Sequence, residues 1–108
     1  MTLPQPVHQG GSTYLVERYL SAAAAAGLAS SVARVARSCL DRSGLGPGAS
    51  SVRYLYSIYL PAEDTCFCVF QAASAEAVRA VNAAADFALD RVSDAVLMFA
   101  GEPVRPEL

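Results

Sequence analysis

The first half of the chain shows two kinds of hydrophobic pattern. Residues 13–20, TYLVERYL, are rich in β-branched and aromatic residues and predict a strand. Ser21 is a good helix N-cap, and apolar residues after it recur at steps of three and four, which predicts one long helix over about 22–42. Its inward stripe is Leu28, Val32, Val35 and Cys39. The following SGLGPGASS, with three glycines and a proline, ends this helix.

A β-hairpin is predicted for residues 52–70, VRYLYSIYLPAEDTCFCVF. Residues 61–64 form its loop, because Pro61 presets φ for a type I turn. The loop fixes the register of the two strands. The opposed pairs are Tyr59–Cys66, Ser57–Cys68 and Leu55–Phe70 on one side, and Ile58–Phe67 and Tyr56–Val69 on the other. Tyr54, Tyr56, Ile58, Phe67 and Val69 then share one face of the sheet.

The last two elements complete a familiar order. A second helix is predicted after Ser74, with Val78, Val81 and Ala85 inward, and residues 91–99 form the last strand. Strand, helix, strand, strand, helix, strand is the order of a ferredoxin-like α+β fold, a four-stranded antiparallel sheet with two helices on one face. Right-handed crossovers place the first strand beside the third. No helix covers the other face of this sheet, and its apolar residues predict that a second copy covers it, forming a homodimer with a dimeric α+β barrel.

Composition supports one folded domain at residues 13–99, between a flexible tail at 1–12 and a second tail at 100–108. The chain is 54% hydrophobic and 17% charged, which argues against disorder. Its eight basic residues are all arginines and form no basic stripe, so nucleic acid is not an expected partner. No apolar run is long enough for a membrane span. Without lysine, Schiff-base chemistry is excluded.

Three cysteines without a secretory signal favour reduced thiols and a cytoplasmic protein. Cys66 and Cys68 lie two residues apart on a strand, so both sulfurs point to the same face. A soft metal ion there is one interpretation, but a structural zinc site has four ligands and only Cys39 and His8 remain. Small buried hydrophobes are the favoured interpretation, and no metal or cofactor is expected. No nucleophile-elbow motif is present.

The adjacent Glu17 and Arg18 point to opposite faces of the first strand, so one of them faces something other than water. Alternation places Glu17 with Leu15 and Tyr19. One interpretation is an ion pair with Arg53, Arg79 or Arg91. The other is a general base with a pKa raised by desolvation, and its expected neighbours are Ser57, Tyr59 and Asp94.

Taken in order, the segments LVERYL, VRYLYSIYLPAEDTCFCVFQAASAEAVRAVN and DRVSDAV resemble domain-of-unknown-function family 4242 over residues 13–96. The resemblance implies a ferredoxin-like dimer, and one branch of the family is described as nickel-binding. The histidines of that branch correspond to Ser57 and Val81 here, and neither side chain replaces an imidazole ligand. The resemblance therefore implies the fold, the dimer and a possible pocket near Ser57, Tyr59 and Glu17, without the metal.

Two functions remain open from the sequence. The first is a noncatalytic dimer that binds a small, partly apolar ligand between sheet and helices. The second is a cofactor-free enzyme, such as an isomerase, cyclase or monooxygenase-like protein, with Glu17 as acid or base and Tyr59 as a polarising group. A small oligomerisation module is a third interpretation if no pocket exists. The predicted ligand-binding residues are Glu17, Tyr19, Arg53, Ser57, Tyr59, Cys68 and Asp94.

Overall fold

The structure, a computed structural model, describes residues 12–40 and 52–99. Its strands and helices follow the predicted order. They are β1 (Ser12–Tyr19), α1 (Ala22–Ala26), α2 (Leu28–Leu40), β2 (Arg53–Leu60), β3 (Thr65–Ala72), α3 (Ala75–Ala84) and β4 (Arg91–Ala95). The strands form one antiparallel sheet in the order β2-β3-β1-β4, so the first strand lies beside the third. The predicted ferredoxin-like α+β fold is confirmed.

One face of the sheet packs against α2 and α3 and forms the core. Tyr14, Val16 and Arg18 of β1 lie on this face. Alternate residues of β3 lie beside them and are almost fully buried. The β3 residues are Cys66, Cys68, Phe70 and Ala72. The helices contribute Val35, Cys39, Val78 and Val81. The predicted inward positions of both helices, including Ala85 after α3, are confirmed.

The single long helix predicted after Ser21 is wrong at Gly27. The Ser21 side chain does cap α1, but Gly27 ends it by donating its N–H to the carbonyls of Ala24 and Ala25. The chain then starts a new helix at Leu28. Glycine weakens a helix interior because it has the largest backbone entropy to lose. The predicted end of the helix lies outside the described residues.

The hairpin register is confirmed near its loop and wrong at its far end. Tyr59–Cys66, Ser57–Cys68, Ile58–Phe67 and Tyr56–Val69 are paired as predicted. A bulge at Leu55 then shifts the register, so Phe70 pairs with Tyr54 instead of Leu55. Tyr54 consequently moves to the helix face, where its ring meets Phe70 edge-on at a centroid distance of 5.7 Å.

The last strand is shorter than predicted. Ala95 already pairs with Thr13, and only Ser12 of β1 remains beyond it in the described chain. Because β1 offers so few further residues to pair with, residues 96–99 have no strand structure. Val96, Met98 and Phe99 are exposed. Of the predicted tails, Ser12 belongs to β1, and residues 1–11 and 100–108 lie outside the described residues.

The opposite face of the sheet, called the open face below, is covered by none of the described helices. Its central residues are Leu15, Glu17, Phe67 and Val69. Tyr19, Tyr56, Ile58 and Leu60 lie around them, with between 38% (Leu60) and 61% (Tyr19) of their surface exposed. The residues 12–40 and 52–99 include no helix long and apolar enough to cross a membrane.

Candidate functional site

Glu17 lies on the open face, where two side chains hold its carboxylate. Arg91 pairs with Oε1 through Nη2 at 3.1 Å and Nε at 3.2 Å. The Tyr19 hydroxyl donates to Oε2 at 2.5 Å. Alternation along β1 brings Glu17 and Tyr19 to the same face, and Arg91 is the residue opposite Glu17 on β4. The predicted ion pair of Glu17 is therefore formed with Arg91.

These contacts lower the pKa of Glu17 below its ordinary value of 4.5. The largest cause is the hydrogen bond from Tyr19; desolvation acts in the opposite direction, and Arg91 lowers the pKa further. The same bond raises the pKa of Tyr19 above its ordinary 10.0. The predicted raised pKa of Glu17 is wrong, because the hydrogen bond and the guanidinium outweigh desolvation. At neutral pH Glu17 is an ionised, engaged carboxylate and a poor general base.

Ser57, Tyr59 and Cys68 lie on the helix face, so the sheet separates them from Glu17. Ser57 Oγ donates to Cys68 Sγ at 3.0 Å and lies 2.8 Å from the Tyr54 hydroxyl. Tyr59 is half-buried against the core. The structure thus brings Ser57 and Cys68 together, but it does not bring either of them, or Tyr59, to Glu17.

Arg53 and Asp94 lie on the two outer strands of the sheet and far from each other in strand order. Arg53 Nη1 donates to Gln71 Oε1 at 3.3 Å across the β2–β3 ladder. Asp94 is exposed and pairs through its backbone with Tyr14. The seven predicted ligand-binding residues therefore do not form one constellation, and their role in binding stays a prediction.

The buried charge of β1 is Arg18, and not Glu17, the residue predicted to be functional. Only 1% of its surface is exposed. Nη1 donates to the carbonyls of Phe87 at 3.1 Å and Ala88 at 3.2 Å. Nη2 donates to Asn82 Oδ1 at 2.6 Å and to Cys68 Sγ at 3.5 Å. The signal was available, because Arg18 shares its strand face with Tyr14 and Val16.

All of these partners of Arg18 are uncharged groups. The guanidinium also lies 3.7 Å from the centre of the Phe87 ring, and its Nε has no hydrogen-bond partner. Among the described residues, no carboxylate forms an ion pair with it. A buried cation without a counter-ion is costly, because desolvation is not repaid by an opposite charge.

The two cysteines of β3 lie beside this cation. Cys66 Sγ and Cys68 Sγ are 3.9 Å apart, and both residues are buried. Burial raises the pKa of the Cys66 thiol to about 12, and Cys68 adds to the effect while Arg18 opposes it. Burial likewise raises the pKa of Cys39 to about 11. The predicted burial of Cys66 and Cys68 in the core, and of Cys39 on the inward side of α2, is confirmed, and none of the three is paired in a disulfide.

The described residues line two grooves on the helix side of the molecule. The larger has a volume of about 780 Å³ and lies between the C-terminal ends of α2 and α3. It is lined by Arg34, Arg37, Ser38, Leu40 and Asp86, among others. Arg34 Nε is engaged by the Ala85 carbonyl at 3.0 Å, at the end of α3. The smaller groove, of about 310 Å³, is lined by Arg79, Asn82, Phe87 and Leu89, among others.

Residues 14–94 match the model of a family described as "Nickel responsive protein SCO4226-like". The chain belongs to this SCO4226-like family. It is also similar in fold to the crystal structure of SCO4226 from Streptomyces coelicolor A3(2), with a TM-score of 0.59 and 17% identity over 82% of this chain and 100% of that chain. No curated protein matches the chain. The resemblance to domain-of-unknown-function family 4242 is compatible with this result, although the matching model does not carry that name.

The described residues do not fit a divalent nickel ion. The position matched to one family histidine, Val81, is a fully buried apolar side chain, and the other, Ser57, is already bonded to Tyr54 and Cys68. Residues 12–40 and 52–99 contain no group of three histidine, cysteine or acidic side chains placed to hold a metal. The Arg18 cation next to Cys68 further opposes a doubly charged ion.

Proposed function

We propose that this SCO4226-like protein is a noncatalytic cytoplasmic homodimer that binds a small, partly apolar ligand. The observation that carries the proposal is the open face: it exposes large apolar side chains, and its Glu17 carboxylate is already neutralised by Arg91 and Tyr19. Such a face is suited to being covered, and an engaged carboxylate is a poor acid or base. Nothing in the geometry favours the enzyme alternative, since Glu17 and Tyr59 lie on opposite faces of the sheet.

The dimer is supported by the energy available on the open face. A single chain leaves four large side chains of this face partly exposed to solvent: Tyr19, Tyr56, Ile58 and Leu60. Covering the exposed part of each, about half of its surface, is worth about 1 kcal/mol. In a two-fold dimer the same face serves both partners, so each side chain contributes twice. The charges of Glu17 and Arg91 already neutralise each other, so the interface would not bury an unpaired charge there.

The larger groove is the observation that supports a small-molecule ligand. The layer between sheet and helices, where the sequence placed it, is filled by buried side chains such as Val16, Phe70 and Val78. The groove between α2 and α3 has instead about 780 Å³ of space, within the usual range for small-molecule sites. Leu40 offers apolar contact, and the two cations Arg34 and Arg37 outnumber the single acid Asp86. This combination favours an anion with an apolar body.

Anilinonaphthalene sulfonate, an apolar anion, tests the ligand proposal by fluorescence titration of the full chain. We expect saturable binding of one probe per chain, weakened about tenfold in Arg37→Gln because a charge-assisted contact is lost. Arg79→Gln is the matched control, since Arg79 lines the smaller groove instead. Equal affinity for wild type and Arg37→Gln, or a loss confined to Arg79→Gln, would contradict the proposed site.

A further inference from the structure

Residues 96–99, VLMF, form a short apolar segment directly after β4, called the apolar arm below. We propose that the apolar arm of each chain packs on the open face of a second copy and supplies about half of the apolar area of the interface. This inference rests on the proposed homodimer and names the segment that completes it. The family match ends at residue 94, so the apolar arm lies beyond the matched residues.

The side chains of the apolar arm are largely uncovered in a single chain. Val96 is 81% exposed, Met98 is 84% exposed and Phe99 is 72% exposed. On the open face the corresponding fraction is highest at Tyr19, with 61%. Large apolar side chains that are clustered and this exposed are typical of a surface that binds another molecule.

The apolar arm begins at the end of the sheet that is farthest from Tyr19. Ala95, the last residue of β4, pairs with Thr13, whereas Tyr19 ends β1 six residues further along that strand. Leu60 lies at the same end as Tyr19, because both residues pair with Thr65. At about 3.3 Å per residue this separation is about 20 Å. Four extended residues span at most about 14 Å, so the apolar arm cannot cover Tyr19 of its own chain.

A second copy turned end for end brings the two surfaces together. When two open faces pack with their strands running in opposite directions, the apolar arm of each chain lies beside the Tyr19 end of the other. The contact forms twice, because a two-fold axis gives both chains the same surroundings. The Tyr19 ring can be covered while its hydroxyl stays bonded to Glu17, which leaves no polar group of this pair without a partner.

The apolar arm also doubles the apolar area that a second copy can cover. Complete covering of the four exposed apolar side chains of the open face removes about 450 Å² per chain from water. A stable interface buries about 800 Å² per partner. The three exposed side chains of the apolar arm add about 500 Å². With the apolar arm, the apolar surface alone reaches the size of a standard interface.

Sedimentation equilibrium of the full chain and its Val96→Ser/Met98→Ser/Phe99→Ser variant tests the apolar arm. We expect the dissociation constant of the dimer to rise at least about 100-fold, because three apolar side chains are lost from each partner. Circular dichroism of the variant is expected to match wild type, since these side chains are exposed in a single chain. Leu40→Ser is the matched control: Leu40 is 81% exposed but lines the larger groove, so its dissociation constant is expected to stay within about twofold of wild type.

Isotope-filtered NOE spectra of mixed labelled and unlabelled chains locate the apolar arm. We expect contacts between the Phe99 ring of one chain and Tyr19 of the partner subunit. If wild type is a dimer and the triple variant dimerises with equal affinity, or if these contacts are absent, the inference is overturned and the homodimer itself stands. A monomeric wild type overturns both. Binding of wild type to phosphatidylglycerol vesicles that the triple variant loses would assign the apolar arm to a lipid surface and overturn the inference.

Discussion

Arg18 Nη2 lies 2.6 Å from Asn82 Oδ1, and this hydrogen bond links β1 to α3. Asn82 is itself fixed by its bond to the Val78 carbonyl, one helical turn earlier. The same guanidinium reaches the carbonyls of Phe87 and Ala88, where the chain leaves α3 for β4. One side chain therefore connects the sheet, the helix and the following loop.

Arg18→Met is expected to destabilise the protein by about 2–4 kcal/mol, because three buried acceptors lose their donor. Relief of the buried charge offsets part of this loss. Urea unfolding followed by circular dichroism measures the change. The exposed Arg79→Met on α3 is the control and is expected to stay within about 0.5 kcal/mol of wild type. A similar small effect for both variants would show that the Arg18 contacts contribute little.

The carboxyl group of Glu17 is expected to titrate below 4.5 in the folded protein. Since its folded pKa is lower than its unfolded one, its contribution to stability is present at neutral pH and is lost as the pH falls below about 4.5 through the folded value. Carboxyl-carbon NMR measures the midpoint. Tyr19→Phe is expected to raise it, because the Tyr19 hydroxyl is the largest cause of the shift. An unchanged midpoint in Tyr19→Phe would contradict this assignment.

The thiols of the reduced protein are expected to resist alkylation and aromatic disulfide reagents. All three cysteines are buried, and the pKa values of Cys39 and Cys66 are raised to about 11 and about 12, so little thiolate is present at pH 8. Reaction is expected to be at least about 100-fold slower than in denaturant, where three thiols react. Rapid reaction of one thiol in the folded state would reveal an accessible cysteine.

Gly27→Ala is expected to stabilise the protein by about 0.5–1 kcal/mol. Gly27 has φ −101° and ψ 15°, a conformation open to alanine, and nothing lies within 4 Å of the added Cβ. Thermal or urea unfolding checks the change. Ala29→Gly, at an exposed position of α2, is the reverse control and is expected to lower stability by about 1 kcal/mol. A destabilising Gly27→Ala would mean that the break between α1 and α2 is required.

The elements and their order follow from local patterns, which is why they were predictable. Ser21 and Ser74 cap helices as expected, and Val35, Val78 and Val81 face inward because their spacing matches a helix. The register near the hairpin loop follows in the same way from the loop itself. These features depend on residues close together in the chain.

The errors concern choices that depend on distant residues. The residues next to Tyr54 in the sequence do not predict the bulge at Leu55, because the bulge depends on how Tyr54 packs against Phe70. Alternation showed that Glu17 and Arg18 lie on opposite faces, but not which face was buried. That choice was set by Asn82 and Phe87, more than sixty residues away, which supply acceptors and a ring for a guanidinium and would repel a carboxylate.

The dimer is the central claim, and sedimentation of the wild-type chain with its Ile58→Glu variant tests it most directly. Ile58 lies on the open face with half of its surface exposed, and a buried glutamate there would break an apolar interface. Wild type is expected at about twice the 11.3 kDa chain mass, with Ile58→Glu a folded monomer and the exposed helix control Ala29→Glu still a dimer. A monomeric wild-type protein at micromolar concentration would contradict the account.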